Sequence, residues 1–224
     1  MKNKRMNNAA AVVDCIFDGA TVFIGGFGRG GVPELLIEAV CDRKLSNLTI
    51  VTNNSGTART GIARLIEQNC VSKIVCSFPI AKESYIFKEW FEAGKIAAEV
   101  VPQGTLVERM SCAGAGLGGF LTPVGVGTEL AEGKEHITVD GRQFLLERPL
   151  RGDFALIKAD MVDPRGNLTY RNAARNFNPV MAMAADMVLV EANRAVGLGG
   201  IDPNIVITPG IYVDRYWVPG SARN

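Results

Sequence analysis

The chain has 224 residues, 47% of them apolar and 21% charged, with 24 basic side chains against 23 acidic ones. A net charge of +1 leaves no electrostatic footprint for nucleic acid or for an anionic membrane surface. A single histidine excludes multi-histidine metal sites and weighs against histidine-dependent triads and dyads, so no metal site is expected.

A chain of this length buries about 70% of its unfolded surface and folds without staples. One domain over residues 1–224 is the simplest partition, because no linker or repeat is visible. The five cysteines (Cys15, Cys41, Cys70, Cys76 and Cys112) form no C-x-x-C pair and read as reduced thiols. The basic opening precedes an apolar run, 9–13, that is too short for a secretory core. The uncharged stretch 110–128 is glycine-rich and contains Pro123, so it is no spanning helix. A cytoplasmic location is expected, with neither membrane nor nucleic acid as a partner.

In chain order, residues 21–24 are β-branched and apolar and read as a strand. Residues 33–45 read as a helix with Leu35, Leu36, Ala39 and Val40 on one face. A strand at 48–51 runs into an Asn-rich turn, 53–56. Then come a helix at 61–69, a strand at 73–78, a helix at 83–93 and a strand at 97–101. Another helix opens at 106–110. Tyr85, Ile86, Trp90 and Phe91 follow helical spacing and read as core or subunit interface. Such alternation predicts an α/β fold built on an open, mostly parallel sheet flanked by helices.

After Gly114 the character changes. Residues 114–128 are glycine-rich and irregular. Residues 136–139 and 143–147 form a hairpin around Asp140-Gly141, where glycine supplies the positive φ. This is the smaller antiparallel portion, and it places His136 on an ordinary strand. A strand at 154–158, a turn at 163–166, a helix at 180–185 and a strand at 187–190 follow.

The sharpest local feature is the turn that carries Gly25, Gly26, Phe27, Gly28, Arg29, Gly30 and Gly31 from the first strand into the first long helix. Glycines let backbone approach a ligand closely, and a helix start favours an anion. Gly26-x-Gly28-x-x-Gly31 matches the dinucleotide fingerprint, but the next strand ends in Thr52-Asn53-Asn54 and lacks the expected carboxylate. No Gly-Lys-Ser/Thr follows, which excludes a P-loop. A dinucleotide-dependent oxidoreductase therefore loses most of its support, and a tight turn without a ligand remains the bland alternative.

The same run, continued by Pro33, resembles the coenzyme A-binding signature of family I CoA-transferases in their A, or alpha, subunit. Further matches follow: Asn53-Asn54-x-Gly56, Pro102-Gln103-Gly104-Thr105-Leu106, Arg175-Asn176-Phe177-Asn178-Pro179 and Thr208-Pro209-Gly210. They cover nearly the whole chain. Cys76-Ser77-Phe78-Pro79 and Asn3-Lys4-Arg5-Met6 look most like members acting on 3-oxoadipate, with succinyl-CoA:acetoacetate and acetate/acetoacetate transferases as alternatives.

The resemblance implies a sugar-isomerase/CoA-transferase-like fold and ping-pong transfer of CoA from succinyl-CoA to a short 3-oxoacid through a glutamyl-CoA thioester. In the family the nucleophile lies in a Glu-Asn-Gly motif of the B subunit. This sequence has no such motif, and Glu132 reads as an exposed turn. The expected partners are therefore a B subunit, in a heterodimer or heterotetramer, and CoA thioesters. CoA is a substrate moiety rather than a permanent cofactor. The resemblance assigns Gly25 to Gly31 to CoA binding and gives Gln103, Asn53 and Asn54 supporting roles. Gln103 is placed at the end of the fourth strand as an oxyanion donor. Arg171, Arg175 and Asn176 are candidates for a dicarboxylate or a CoA phosphate, with a solvated helix start the alternative. A non-enzymatic ligand-sensing module is the remaining rival.

Overall fold

The computed structural model describes residues 3–81 and 83–220, so the first two residues of the basic opening lie outside it. In chain order come α1 (Ala9–Val13), β1 (Thr21–Ile24), α2 (Glu34–Asp42), β2 (Leu48–Asn54), α3 (Ile62–Glu67), β3 (Val71–Phe78), α4 (Tyr85–Glu92), β4 (Ala97–Val100) and α5 (Gln103–Ala115). There follow β5 (Phe120–Thr122), β6 (His136–Val139), β7 (Arg142–Glu147), β8 (Gly152–Val162), β9 (Leu168–Thr169), α6 (Asn178–Ala184), β10 (Ala185–Ala195) and β11 (Arg215–Trp217).

The main sheet has the order β11-β10-β8-β1-β2-β3-β4, with β9 pairing antiparallel on β8. All other pairings in it are parallel. The chain winds outward from β1 through β4, then returns to β8 on the other side of β1. The strand order thus reverses between β1 and β8, the place where open α/β sheets form a crevice at their carboxyl ends. Strands β5, β7 and β6 make the smaller antiparallel sheet, with Asp140-Gly141 as its tight turn and His136 exposed.

Alternation along each strand divides the core in two. Val22 and Ile24 of β1, Leu48 and Ile50 of β2, and Phe154 and Leu156 of β8 face a layer formed with α1 to α4. Phe23, Val51, Ala155 and Ile157 face the opposite way and pack with α5 and α6. Burial on both faces explains why these strands read as continuous apolar runs.

Several expected boundaries change. On α2, Leu36, Ile37, Ala39 and Val40 are buried, whereas Leu35 is 36% exposed and belongs to the rim. On α4, Ile86 and Phe87 are buried, while Tyr85 and Phe91 stay about half exposed. The run 9–13 forms α1, capped by Asn8, whose Oδ1 accepts the Ala11 N–H at 2.8 Å. Helix α5 is longer than expected at both ends and includes Gly114 and Ala115, read from sequence as irregular. Gly114 is there for contact: a Cβ on it would lie 2.7 Å from Met183 Cβ of α6.

Candidate active site

The glycine turn uses its residues differently from the expectation. Gly25 N–H donates to Leu156 O at 3.0 Å, and Phe27 and Gly30 exchange backbone hydrogen bonds at 2.9 and 3.1 Å. Gly26 N–H donates to Asn176 Oδ1 at 3.0 Å. A Cβ on Gly25 would lie 1.9 Å from Asn178 Oδ1, one on Gly26 2.5 Å from Val32 Cγ2, and one on Gly31 2.5 Å from Ala174 O. These three glycines serve close packing. Gly28 is different: its φ is +58° and a Cβ there meets nothing within 4 Å. The tip Phe27-Gly28-Arg29 is the open part of the turn.

The start of α2 is not free for a ligand anion either. Glu191, 2% exposed, accepts the Leu35 and Leu36 N–H groups through Oε2 at 2.9 and 3.2 Å. Its Oε1 receives Lys158 Nζ at 2.5 Å. A protein carboxylate already occupies the positive end of that helix. Glu34, in the first turn of α2, serves the next element, since the Gly61 N–H donates to its carboxylate. Burial is the main force that raises the Glu34 pKa, and Glu191 and Glu38 add repulsion against that hydrogen bond.

The turn after β2 repeats the turn after β1. Thr57 and Thr60 bridge as Phe27 and Gly30 do. Positive φ recurs at Gly26 and Gly56, Gly28 and Ala58, and Gly31 and Gly61. Arg29 and Arg59 take equivalent tip positions. In sequence only Gly26/Gly56, Arg29/Arg59 and Gly31/Gly61 are identical across these seven-residue turns, which is too little to register as a repeat.

Between these tips and the start of α5 lies a cavity of about 380 Å³, lined by Phe27, Gly28, Asn53, Asn54, Ser77, Phe78 and Gln103 among others. Five sequence-predicted site residues therefore meet: Phe27, Gly28, Asn53, Asn54 and Gln103. Three of them sit on different elements than expected. Asn53 and Asn54 are the last residues of β2 rather than a turn. Alternation consequently sends them apart: Asn53 is 6% exposed and its Oδ1 accepts from Ser77 Oγ at 3.3 Å, whereas Asn54 Oδ1 accepts the Gly56 N–H at 2.9 Å. Asn54 thus shapes its own turn, and the Asn53 amide N–H₂ group has no protein partner among the described residues.

Gln103 does not end β4; it opens α5, three residues past that strand's last residue. Pro102 before it cannot continue a strand ladder, and its carbonyl accepts the Leu106 N–H at 2.8 Å, which starts the helix early. Gln103 is exposed at the cavity rim. Phe27 and Phe78 are more than half exposed. Beneath the site, burial pushes the Cys76 thiol up to about 11, so it is no nucleophile at neutral pH. Glu132 lies far along the chain in an exposed turn.

Asn176 and Asn178 are the residues that sequence reasoning undervalued. Asn176 Oδ1 accepts from the Gly26 and Phe177 N–H groups, and its Nδ2 donates to Gly30 O and Ala173 O, both at 2.9 Å. The fully buried Asn178 accepts the Lys158 N–H at 3.0 Å and donates to Ala174 O and Gly31 O at 2.8 and 3.2 Å. Both bolt the glycine turn onto the segment before α6. Asn176 is therefore spent on the backbone and is not free for a ligand anion. The signal was present in the run Arg175-Asn176-Phe177-Asn178, where two amides flank one buried aromatic residue.

These features define a parallel α/β protein with a cavity lined by amides, hydroxyls and two phenylalanines at the carboxyl edge of its sheet. The chain belongs to the coenzyme A transferase family, whose model matches residues 5–216. It is 51% identical to the A subunit of the 3-oxoadipate CoA-transferase of Pseudomonas putida, over 96% of this chain and 93% of that one. It is 44% identical to the A subunit of the probable succinyl-CoA:3-ketoacid coenzyme A transferase of Bacillus subtilis, over 95% and 88%. Among solved structures, an acyl-CoA transferase from Escherichia coli O157:H7, crystallised as a thioester complex with CoA, superposes with a TM-score of 0.85. At 23% identity that likeness shows the fold; it covers 99% of this chain and 48% of the other. Membership of this family overturns the oxidoreductase and sensing-module alternatives. Among the described residues no helix is long and apolar enough to cross a membrane.

Proposed function

We propose that the chain is the A subunit of a heteromeric 3-oxoacid CoA-transferase that moves CoA from succinyl-CoA to 3-oxoadipate. The relative named for 3-oxoadipate is 51% identical, against 44% for the one named for 3-ketoacids, which supports this acceptor over acetoacetate. The observation that carries the reading is the 380 Å³ cavity, whose lining brings Asn53 and Gln103 to one space.

The chemistry follows from that lining. A glutamate carboxylate from the partner attacks the thioester carbonyl. The C=O electrons move onto oxygen, and the oxyanion needs donors in place before it forms. Asn53 Nδ2 and Gln103 Nε2 supply them. Collapse expels CoA thiolate and leaves an acyl-glutamyl anhydride. The thiolate then attacks the glutamyl carbonyl, releasing succinate and leaving enzyme-bound CoA thioester. The second acid reverses the two steps. Buried between turn and strand, Asn53 is held in place by Ser77, so little reorganisation accompanies charge development. The tip Phe27-Gly28-Arg29 lets the CoA chain pass close to backbone, and a partner surface would cover the half-exposed Phe27 and Phe78.

The test is reconstitution. The chain mixed with a partner that carries Glu-Asn-Gly should convert succinyl-CoA and 3-oxoadipate to succinate and 3-oxoadipyl-CoA with ping-pong kinetics. The chain alone should show no transfer. Transfer by the isolated chain, or none by the mixture with any 3-oxoacid, overturns the reading.

A further inference from the structure

A second cavity, of about 370 Å³, meets the first at Phe27 and Gln103. Away from Gln103 its walls are mostly apolar, from Phe27, Val107, Phe177, Pro179 and Val180, with Asn176 as a further polar residue and Arg175 as the charged group. Arg175 is exposed and has no ion-pair or hydrogen-bond partner among the described residues. The backbone that carries it is fixed. It ends the 3-10 turn Asn172–Arg175, and the next residue, Asn176, is tied to Gly26, Gly30 and Ala173. The neighbouring amide of Asn176 is spent on those bonds, which leaves the guanidinium as the free donor of this space.

A mostly apolar trough that starts at Gln103 and ends at a guanidinium carried on a fixed backbone fits one kind of acyl group. Its first carbonyl sits at Gln103, its methylene carbons lie along Phe27 and Val107, and a second carboxylate reaches the far end. We propose that Arg175 binds the distal carboxylate of dicarboxylic acyl groups, such as succinyl and 3-oxoadipyl, and selects them over monocarboxylic ones. A planar guanidinium suits this task because it can meet a carboxylate with two parallel hydrogen bonds. Burial of the methylene carbons against the trough adds to affinity only when the far charge is also met; otherwise a carboxylate is left desolvated without a partner.

The inference rests on the transferase reading above, and the experiment separates the two. With succinyl-CoA as donor and the reconstituted complex, kcat/KM is measured for isotopically labelled succinate, 3-oxoadipate and acetate as acceptors, for wild type, Arg175→Met and Arg175→Lys. A charged hydrogen-bonded contact contributes about 1.5–3 kcal/mol, equivalent to roughly 10- to 100-fold. Arg175→Met is expected to lose that factor with succinate and 3-oxoadipate, mainly through KM, and to change acetate by less than about twofold. Arg175→Lys should recover part of the loss, because it keeps the charge without the fork. An equal loss with all three acids would assign Arg175 a structural role and overturn the proposal, as would unchanged use of the dicarboxylates. Failure of the wild-type complex with every acid would instead strike the transferase reading.

Discussion

Gly25 and Asn178 occupy one space, and that makes a sharp thermodynamic prediction. Asn178→Ala removes the acceptor for the Lys158 N–H and the donor to Ala174 O and Gly31 O, all inside the protein. A buried backbone group left without a partner costs about 1–3 kcal/mol, and the two carbonyls can relax toward other donors, so the loss should total about 3 kcal/mol. Gly25→Ala leaves those residues unchanged but brings a methyl group to within 1.9 Å of Asn178 Oδ1. No conformation of Asn178 that keeps its three bonds survives that contact, so the same bonds are lost and the cost is again about 3 kcal/mol. Gly25 is not among the positive-φ residues, so alanine itself adds no backbone strain there. Because both changes destroy one set of bonds, the double variant should cost about 3 kcal/mol rather than twice that. Urea unfolding gives the free energies, and thermal melting should fall by about 2–4 °C for each kcal/mol in a chain of this size. Additivity of the two costs within about 0.5 kcal/mol would refute the shared-bond reasoning.

Two more predictions concern the site and its surroundings. Gln103→Ala should lower kcat of the reconstituted complex by about 10²–10³-fold with little change in KM, as loss of one oxyanion donor does; a wild-type kcat would remove Gln103 from that role. Glu34 has a folded pKa above its unfolded value because burial disfavours its charge. Ionisation therefore destabilises the folded state as pH rises through the interval above 4.5, and this penalty is absent at lower pH. Melting temperatures of Glu34→Gln relative to wild type should accordingly become more favourable as pH is raised from 4 to 7. A difference that stays constant, or shrinks, over that range would contradict the assignment.

Much of the main sheet was legible in the sequence for a simple reason. Its strands are buried on both faces, so 21–24, 48–51 and 73–78 stand out as short β-branched runs between helical patterns. Composition was equally direct, since one histidine and balanced charge narrow the chemistry whatever the fold. Motif order along the chain carried the family, because glycines, prolines and amides at fixed spacing are chemically particular where ordinary core positions accept any apolar residue. Element ends were harder. Asn53 shifted from turn to strand because pairing with β3, distant in sequence, decides where the β2 ladder stops, and Gln103 shifted from strand end to helix start because Pro102 ends the strand and its carbonyl opens the helix.

What the sequence by itself determined was the class of chemistry: a chain with few catalytic side chains, the Asn53-Asn54 pair at the end of the second strand, and a pattern shared with CoA-transferases. The division of labour within the glycine turn belonged to the tertiary structure. Gly25, Gly26 and Gly31 pack against Asn178, Val32 and Ala174, residues that lie up to about 150 positions away for the first and third, and only Gly28 faces open space. Likewise the anion at the start of α2 is Glu191, brought from β10 across the sheet. Local sequence specifies a backbone that can approach something closely; which partner fills that space is set by packing between segments far apart in the chain.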